Sequence, residues 1–171
     1  MKTLYKRIEL FANIAIILVA ISLAVVLAKR FVFNGPARNA NADGAPANIG
    51  TKLSLPDVDW SKSNKNLLLV LSDSCKYCSE SAPFYQHLVQ QRAQRETFRL
   101  TAVFPQPVSD GRKYLTGLGV AIEDIRQMAP GAIRIRGTPT LLLVNNAGVV
   151  TDEWLGKLSP EEETVVLGRL Q

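Results

Sequence analysis

The sequence predicts an α/β fold, with a mixed central sheet and helices on both of its faces, preceded by one N-terminal transmembrane helix. Three short apolar runs are typical of buried strands, namely Leu67–Leu71, Phe98–Phe104 and Thr140–Val144. A helix-like segment separates the first two, which is the order of a β-α-β unit with parallel strands. An uncharged stretch near the N terminus predicts the membrane helix, and 171 residues leave room for one domain beyond it.

The beginning of the chain has the pattern of a membrane anchor. Residues 1–7 are a short basic segment, and residues 8–28 include the uncharged stretch Leu10–Ala28. A helix of that length spans roughly 28 Å, enough for the hydrocarbon core of a bilayer. A signal peptide ending at Val26-Leu27-Ala28 is the alternative, but its apolar region is typically about 7–15 residues and therefore shorter. We expect an uncleaved, single-pass anchor.

Composition separates a linker from a domain. Residues 29–49 are rich in Asn, Ala, Gly and Pro, which predicts a flexible linker, whereas residues 50–171 have a globular composition. The formal net charge of +5 lies mostly before Gly50, because from there on 14 Lys and Arg face 13 Asp and Glu. A nearly neutral domain without a basic face argues against nucleic acid as a partner.

Local patterns predict the elements of residues 50–171 in chain order. Strands are expected at Thr51–Leu55, Lys65–Ser72, Phe98–Phe104, Thr140–Val144 and Val149–Trp154. Helices are expected at Lys76–Arg95 with a kink at Pro83, at Asp110–Leu118, for a turn or two at Ile122–Met128, and at the C terminus. Asn145–Gly148 is typical of a hairpin turn, and Ser159, Pro160 and the glutamates after them are typical of a capped helix start.

The chemistry is expected at Ser72-Asp73-Ser74-Cys75-Lys76-Tyr77-Cys78, which holds both cysteines of the chain. Cys75 falls where a buried strand ends and a helix begins, and the unpaired N–H groups there lower the pKa of a thiol. Lys76 adds a neighbouring cation. Two thiols one helical turn apart close a disulfide with little movement, so Cys75 is the predicted nucleophile and Cys78 the resolving thiol of a thiol–disulfide exchange. Because the two sulfurs carry the electrons, no cofactor is expected.

Two other roles are weighed for the cysteine pair. A purely structural disulfide would close a very short loop and would therefore remove little chain entropy. A zinc site usually needs four ligands, whereas the chain offers two cysteines and one histidine, His87. Both roles fit the pattern less well than exchange does, and no metal is expected.

Residues 50–171 resemble the membrane-anchored, bacterial thioredoxin-like thiol–disulfide oxidoreductases of the TlpA and ResA type. Cys75-Lys76-Tyr77-Cys78 matches the redox motif of that family, and Pro83 matches its helix proline. Ile135–Thr140, which contains Thr138-Pro139, matches the segment that carries a cis-proline, and Asn145–Gly148 matches the hairpin after it. A CxxC motif alone is a weak signal, whereas its combination with this later segment is specific.

The resemblance implies a thioredoxin-like fold and a protein thiol–disulfide oxidoreductase, with reduction favoured over oxidation. Pro139 would be cis and lie against the sulfurs, Thr138 would pair with an extended substrate strand, and Lys76 and Tyr77 would flank the docking surface. The substrates would be protein disulfides of the cell envelope, for example in cytochrome c maturation, and a membrane protein would donate electrons. The domain would face the periplasm from the bacterial cytoplasmic membrane.

The chain departs from the family around the motif. Ser74 stands where thioredoxins usually carry Trp, and Leu69 stands where thioredoxin itself has a buried Asp. The TlpA type has a Glu three residues after the second cysteine, whereas here the Glu comes one residue earlier, as Glu80. Asp73 and Glu80 are therefore the candidates for proton transfer at Cys78.

Two other classes of function are compared with the oxidoreductase. A peroxide-reducing redoxin would need a Pro-x-x-x-Thr-x-x-Cys arrangement, and nothing like it precedes Cys75. A non-catalytic thioredoxin-like interaction module would dock one partner and merely keep its disulfide. Turnover with a dithiol donor separates the module from the enzyme.

Cell fractionation of the full-length protein tests the anchor. Because the apolar stretch has basic residues on both sides, the protein should stay in the membrane fraction after a carbonate wash. A soluble mature form that starts at Lys29 would contradict the anchor and indicate cleavage of a signal peptide.

Overall fold

The structure of the protein, a computed structural model, describes residues 47–95 and 97–171. The predicted anchor at residues 8–28 and most of the predicted linker lie outside these ranges. Among the described residues, no helix combines the length and the apolar character that a membrane crossing requires.

A five-stranded mixed sheet forms the centre of the described domain. Its strands are β1 (Lys65–Val70), β2 (Arg99–Phe104), β3 (Ile125–Gln127), β4 (Thr140–Asn145) and β5 (Val150–Leu155). They lie in the order β3-β2-β1-β4-β5; β1, β2 and β3 are parallel, and β4 is antiparallel to both β1 and β5. The central strand β1 leads directly into the cysteine motif. The predicted mixed α/β architecture is confirmed.

Four α-helices of the described residues pack on this sheet. They are α1 (Lys76–Glu80), α2 (Ala82–Arg95), α3 (Val108–Gly117) and α4 (Pro160–Leu170), and a short 3-10 helix covers Trp60–Lys62. The predicted cap of the last helix is confirmed, because the Ser159 hydroxyl accepts the N–H of Glu162 and the Glu162 carboxylate accepts the N–H of Ser159. Two otherwise unpaired N–H groups at this helix start are thereby satisfied.

The helix after the motif is interrupted at Ser81, two residues before the predicted kink at Pro83. The N–H and the hydroxyl of Ser81 both donate to the Tyr77 carbonyl, at 3.1 and 2.8 Å. Pro83 then lies in the first turn of α2, where a missing N–H leaves no intrahelical bond unmade. The interruption is therefore a turn held by Ser81, and the proline is accommodated beyond it.

The two faces of the sheet are covered in different ways. All four α-helices contribute their buried side chains to a first core cluster, which includes Cys78, Tyr85 and Leu115. A second cluster covers the other face, where irregular segments supply buried residues such as Leu53 and Ile133. Among the described residues, the predicted helices on both faces are thus α-helices on the first face and the 3-10 helix, through Trp60, on the second. Pro130 and Gly131 lie within one of these segments and oppose a helix there.

Two local predictions differ from the structure. Ile122–Met128 is predicted to be helical, but Ile125–Gln127 forms the edge strand β3, which pairs with β2. Pairing with an open sheet edge and burial of Ile125 outweigh the weak helical pattern. Thr51–Leu55 is predicted to be a strand, but its pairing is limited to one bridge between Lys52 and Val149. Its leucines instead cover the second face of the sheet.

The packed domain begins before the predicted boundary at residue 50. Asn48 is 1% exposed, and its backbone N–H donates to Glu153 Oε2 at 2.9 Å. Its side chain donates to the Arg134 carbonyl at 2.8 Å and accepts the Arg134 N–H at 3.1 Å. The end of the predicted linker is thus fastened to the segment that precedes Thr138-Pro139.

Two glycines of α3 provide a matched test of this packing. An added Cβ at Gly111 would lie 2.7 Å from Phe104 Cδ2, whereas one at Gly117 would meet no atom within 4 Å. Gly111→Ala should therefore lower the free energy of unfolding by about 1–3 kcal/mol through overpacking. Gly117→Ala should leave it unchanged or raise it by up to about 1 kcal/mol. Urea denaturation measures both values, and equal stability of the two variants would contradict the packing of α3 on Phe104.

Candidate active site

Cys75 lies at the junction between the central strand and the first helix. After β1, the Leu71 N–H continues the parallel pairing by donating to the Val103 carbonyl at 2.9 Å. The chain then turns, with the Cys75 N–H donating to the Ser72 carbonyl at 3.2 Å. Cys75 is the N-cap of α1, and its sulfur accepts the backbone N–H of Cys78 at 3.2 Å. The sulfur thus occupies the position that a capping oxygen usually takes.

The two thiols have very different surroundings. Both cysteines are free thiols, with Cys75 half-buried and Cys78 completely buried in the first core cluster. Cys78 lies one turn into the helix and faces the sheet, whereas Cys75 lies at the mouth of the site. Only Cys75 is therefore placed to meet a large substrate first.

The segment that contains Thr138-Pro139 meets Cys75 although it lies 63 residues further along the chain. The Cys75 thiol donates to the Thr138 carbonyl at 3.1 Å. The Thr138–Pro139 peptide bond is cis, as the sequence predicts. On either side of it, the Thr140 hydroxyl donates to the Gly137 carbonyl at 2.7 Å and the Gly156 N–H donates to the Pro139 carbonyl at 2.7 Å. These bonds hold the loop against the sulfur.

The surroundings separate the pKa values of the two thiols. Burial alone would raise the pKa of the Cys75 thiol, but hydrogen bonds, foremost from Cys78, outweigh it and place that pKa below the ordinary value. Burial raises the pKa of the Cys78 thiol to about 12, and the neighbouring Cys75 contributes to the increase. At neutral pH, the accessible thiol is therefore the one that ionises more readily.

Lys76, Tyr77 and Glu80 lie on the outer side of the motif. The Lys76 side chain is 83% exposed and lies 3.7 Å from Glu80. The other Glu80 oxygen accepts a hydrogen bond from Lys157 at 3.1 Å, and this bond, more than any other cause, lowers the pKa of Glu80. Tyr77 is 58% exposed. The hydrogen bonds at the sulfur lead the lowering of the Cys75 pKa, and the expected contribution of Lys76 stays a prediction.

Asp73 accepts a hydrogen bond from a residue that the sequence did not indicate. The Gln106 amide donates to Asp73 Oδ1 at 2.7 Å and to Ser72 Oγ at 3.1 Å. Gln106 follows β2 between Pro105 and Pro107, and only this flanking by prolines marks it in the sequence. In the described part of the chain, neither Asp73 nor Glu80 makes a hydrogen bond to Cys78, so the structure does not bring these candidates for proton transfer to the buried thiol.

No protein-family model matches the chain, and no curated protein matches it either. Solved structures match its fold. A thiol:disulfide interchange protein, a thioredoxin family protein from Chlorobium tepidum TLS, has a TM-score of 0.55 at 18% identity, covering 74% of this chain and 100% of that one. A thiol:disulfide interchange protein from Bacteroides sp. has a TM-score of 0.53 at 17% identity, covering 74% and 87%. A thiol-disulfide isomerase from Corynebacterium glutamicum has a TM-score of 0.52 at 14% identity, covering 75% and 97%. The described domain therefore has the thioredoxin fold.

Thiol alkylation as a function of pH tests the asymmetry of the two cysteines. Alkylation follows the thiolate, so in Cys78→Ser the rate at Cys75 should rise through a midpoint below the value of about 8.5 for a free cysteine. In the reduced wild type, Cys78 should react much more slowly, because its thiol stays protonated up to a pKa of about 12. Faster labelling of Cys78 than of Cys75, read by peptide mass spectrometry, would reverse the assignment.

Proposed function

We propose that the protein is a membrane-tethered, extracytoplasmic thiol–disulfide oxidoreductase that acts through Cys75 and Cys78. The observation that carries this proposal is the position of the Cys75 sulfur, which accepts the Cys78 N–H and donates to the Thr138 carbonyl beside Pro139. An accessible thiol of lowered pKa is thereby placed one turn before a buried thiol of raised pKa. Such a pair suits sequential attack and resolution better than it suits a static clasp.

Exchange would proceed in two steps. In the first, the Cys75 thiolate attacks one sulfur of a substrate disulfide, and the other substrate sulfur leaves with the electron pair and takes up a proton. In the second, the Cys78 sulfur attacks Cys75, its proton passes to the departing substrate sulfur, and the Cys75–Cys78 disulfide forms. The substrate gains two electrons and two protons, and the pair loses both.

The surface around Cys75 has the features of a docking site for an extended peptide. The Cys75 thiol contacts the Thr138 carbonyl beside Pro139, and Lys76 and Tyr77, which follow Cys75 in the motif, have exposed side chains. The thioredoxin-fold proteins that the chain matches are described as thiol:disulfide interchange proteins, which supports protein thiols and disulfides as substrates here.

The direction of transfer that we propose is reduction of disulfides in envelope proteins, for example in cytochrome c maturation. A reductase outside the cytoplasm needs a source of electrons, so we propose a membrane protein that presents a dithiol to the oxidised Cys75–Cys78 pair. The uncharged stretch Leu10–Ala28 would keep the domain beside such a donor, on the periplasmic side of the bacterial cytoplasmic membrane.

Reduction of insulin by dithiothreitol tests the activity. The wild-type domain should accelerate the reaction over dithiothreitol alone and turn over many times. Cys75→Ser should abolish the acceleration, because no thiolate attacks. Cys78→Ser should leave the first step intact and trap substrates as mixed disulfides, because nothing resolves them.

Three outcomes would contradict the proposal in different ways. A disulfide that forms without any turnover would favour the interaction module. Rapid consumption of hydrogen peroxide without insulin reduction would favour the peroxide-reducing redoxin. Equal trapping by Cys75→Ser and Cys78→Ser would show that the roles of the two thiols are wrongly assigned.

A further inference from the structure

Tyr85 carries a polar group that the fold leaves without a partner. Its side chain is 0% exposed, and its hydroxyl makes no hydrogen bond among the described residues. The Ser81 side chain lies near Tyr85, but no hydrogen bond joins the two, and the Ser81 hydroxyl donates to the Tyr77 carbonyl. A buried hydroxyl without a partner is costly, so its presence needs an explanation.

The unpaired hydroxyl belongs to the same buried cluster as the Cys78 thiol. Tyr85 lies in α2, seven residues after Cys78 of α1, and both side chains are completely buried in this cluster. Long side chains in a helix lean back toward its N terminus, which for Tyr85 in α2 is the end nearer to Cys78 in the sequence. Within the described part of the chain, Tyr85 is the only buried member of the first core cluster that carries a hydroxyl.

Ser72 and Thr138 interact with the buried thiol, but in the described part of the chain neither Asp73 nor Glu80 is hydrogen-bonded to it. The Asp73 carboxylate is engaged by Gln106, and the Glu80 carboxylate is engaged by Lys157 at the surface. The titratable side chains that interact with Cys78 are Cys75, Tyr85 and, from α3, Tyr114, which in turn interacts with Asp73. Burial, followed by the nearby Cys78, raises the pKa of Tyr85, so its hydroxyl stays protonated and can act as a donor.

We propose that Tyr85 is a positioning residue for the second step of exchange, in which its buried hydroxyl donates a hydrogen bond to the Cys78 sulfur as that sulfur becomes negative. The inference rests on the proposed function. The unpaired state of the hydroxyl in the dithiol form follows from this role, because a protonated thiol is a weak acceptor and a thiolate is a strong one.

The proton and the electrons of the step are accounted for without Tyr85 ionising. The Cys78 sulfur loses its proton and attacks the Cys75 sulfur, and a Cys75–Cys78 bond replaces the bond between Cys75 and the substrate. The substrate sulfur leaves with the electron pair and receives the proton. Tyr85 supplies only the hydrogen bond that favours the charged sulfur.

A two-phase reaction with a dithiobis-nitrobenzoate reporter separates this step from the first. Attack by Cys75 releases one coloured nitrothiolate, and attack by Cys78 on the mixed disulfide releases the second. Tyr85→Phe should leave the first phase unchanged and slow the second by about tenfold, equivalent to about 1.4 kcal/mol. The pH midpoint of the second phase should rise by about one unit, because losing a donor to the thiolate raises the Cys78 pKa.

Tyr114→Phe is the matched control, since it also removes one phenolic hydroxyl near the motif. The Tyr114 hydroxyl already pairs with Ser79 Oγ at 2.9 Å, so its loss should change the second phase by less than about twofold. A wild-type second phase and pH midpoint in Tyr85→Phe, or an equal slowing in Tyr114→Phe, would overturn the assignment of Tyr85.

A second variant keeps the test decisive if Tyr85→Phe does not fold. Replacing Tyr85 by a ring-fluorinated tyrosine keeps the hydroxyl and makes it a stronger donor, so the second phase should become faster; an unchanged rate would contradict the role.

The wild type distinguishes this inference from the proposed function. Absence of the first phase would refute the oxidoreductase itself, whereas two normal phases in every variant would refute the role of Tyr85 alone.

Discussion

The Cys75 sulfur joins two parts of the chain that are far apart in sequence, and the rest of the site is organised by this contact. On one side it accepts the N–H of Cys78 and so caps the first helix; on the other it donates to the carbonyl of Thr138. The central strand β1 places the first partner and the loop before β4 places the second. Because β1 and β4 pair directly over their whole length, the two halves of the site are held by the core of the sheet.

The difference between the two cysteines arises from position rather than from residue type. Cys75 stands at a chain turn with a backbone N–H directed at its sulfur, which favours the thiolate. Cys78 is enclosed by apolar side chains of the first core cluster, which disfavours the thiolate. In the proposed exchange, burial of one member of the CxxC pair therefore sets the order of the two steps. The four α-helices cover this face of the sheet and thereby enclose both Cys78 and Tyr85.

The features that could be predicted from the sequence are those that depend on short-range chemistry. The CxxC spacing, the cap at Ser159, the hairpin at Asn145–Gly148 and the three apolar strands are local patterns, and the cis bond at Pro139 followed from a recognised segment. The edge strand β3, the covering of the second face and the hydrogen bonds of Gln106 depend on tertiary contacts instead. The anchor and its orientation stay predictions from composition and charge.

The reduction potential of the Cys75–Cys78 pair tests the central claim most directly. This potential is measured by equilibrating the domain in dithiothreitol redox buffers and counting its free thiols. We expect a reversible two-electron couple near the value of thioredoxin, about −270 mV. A value near that of DsbA, about −120 mV, would contradict the proposed direction of transfer, and a value below about −300 mV, typical of structural disulfides, would contradict a redox function altogether.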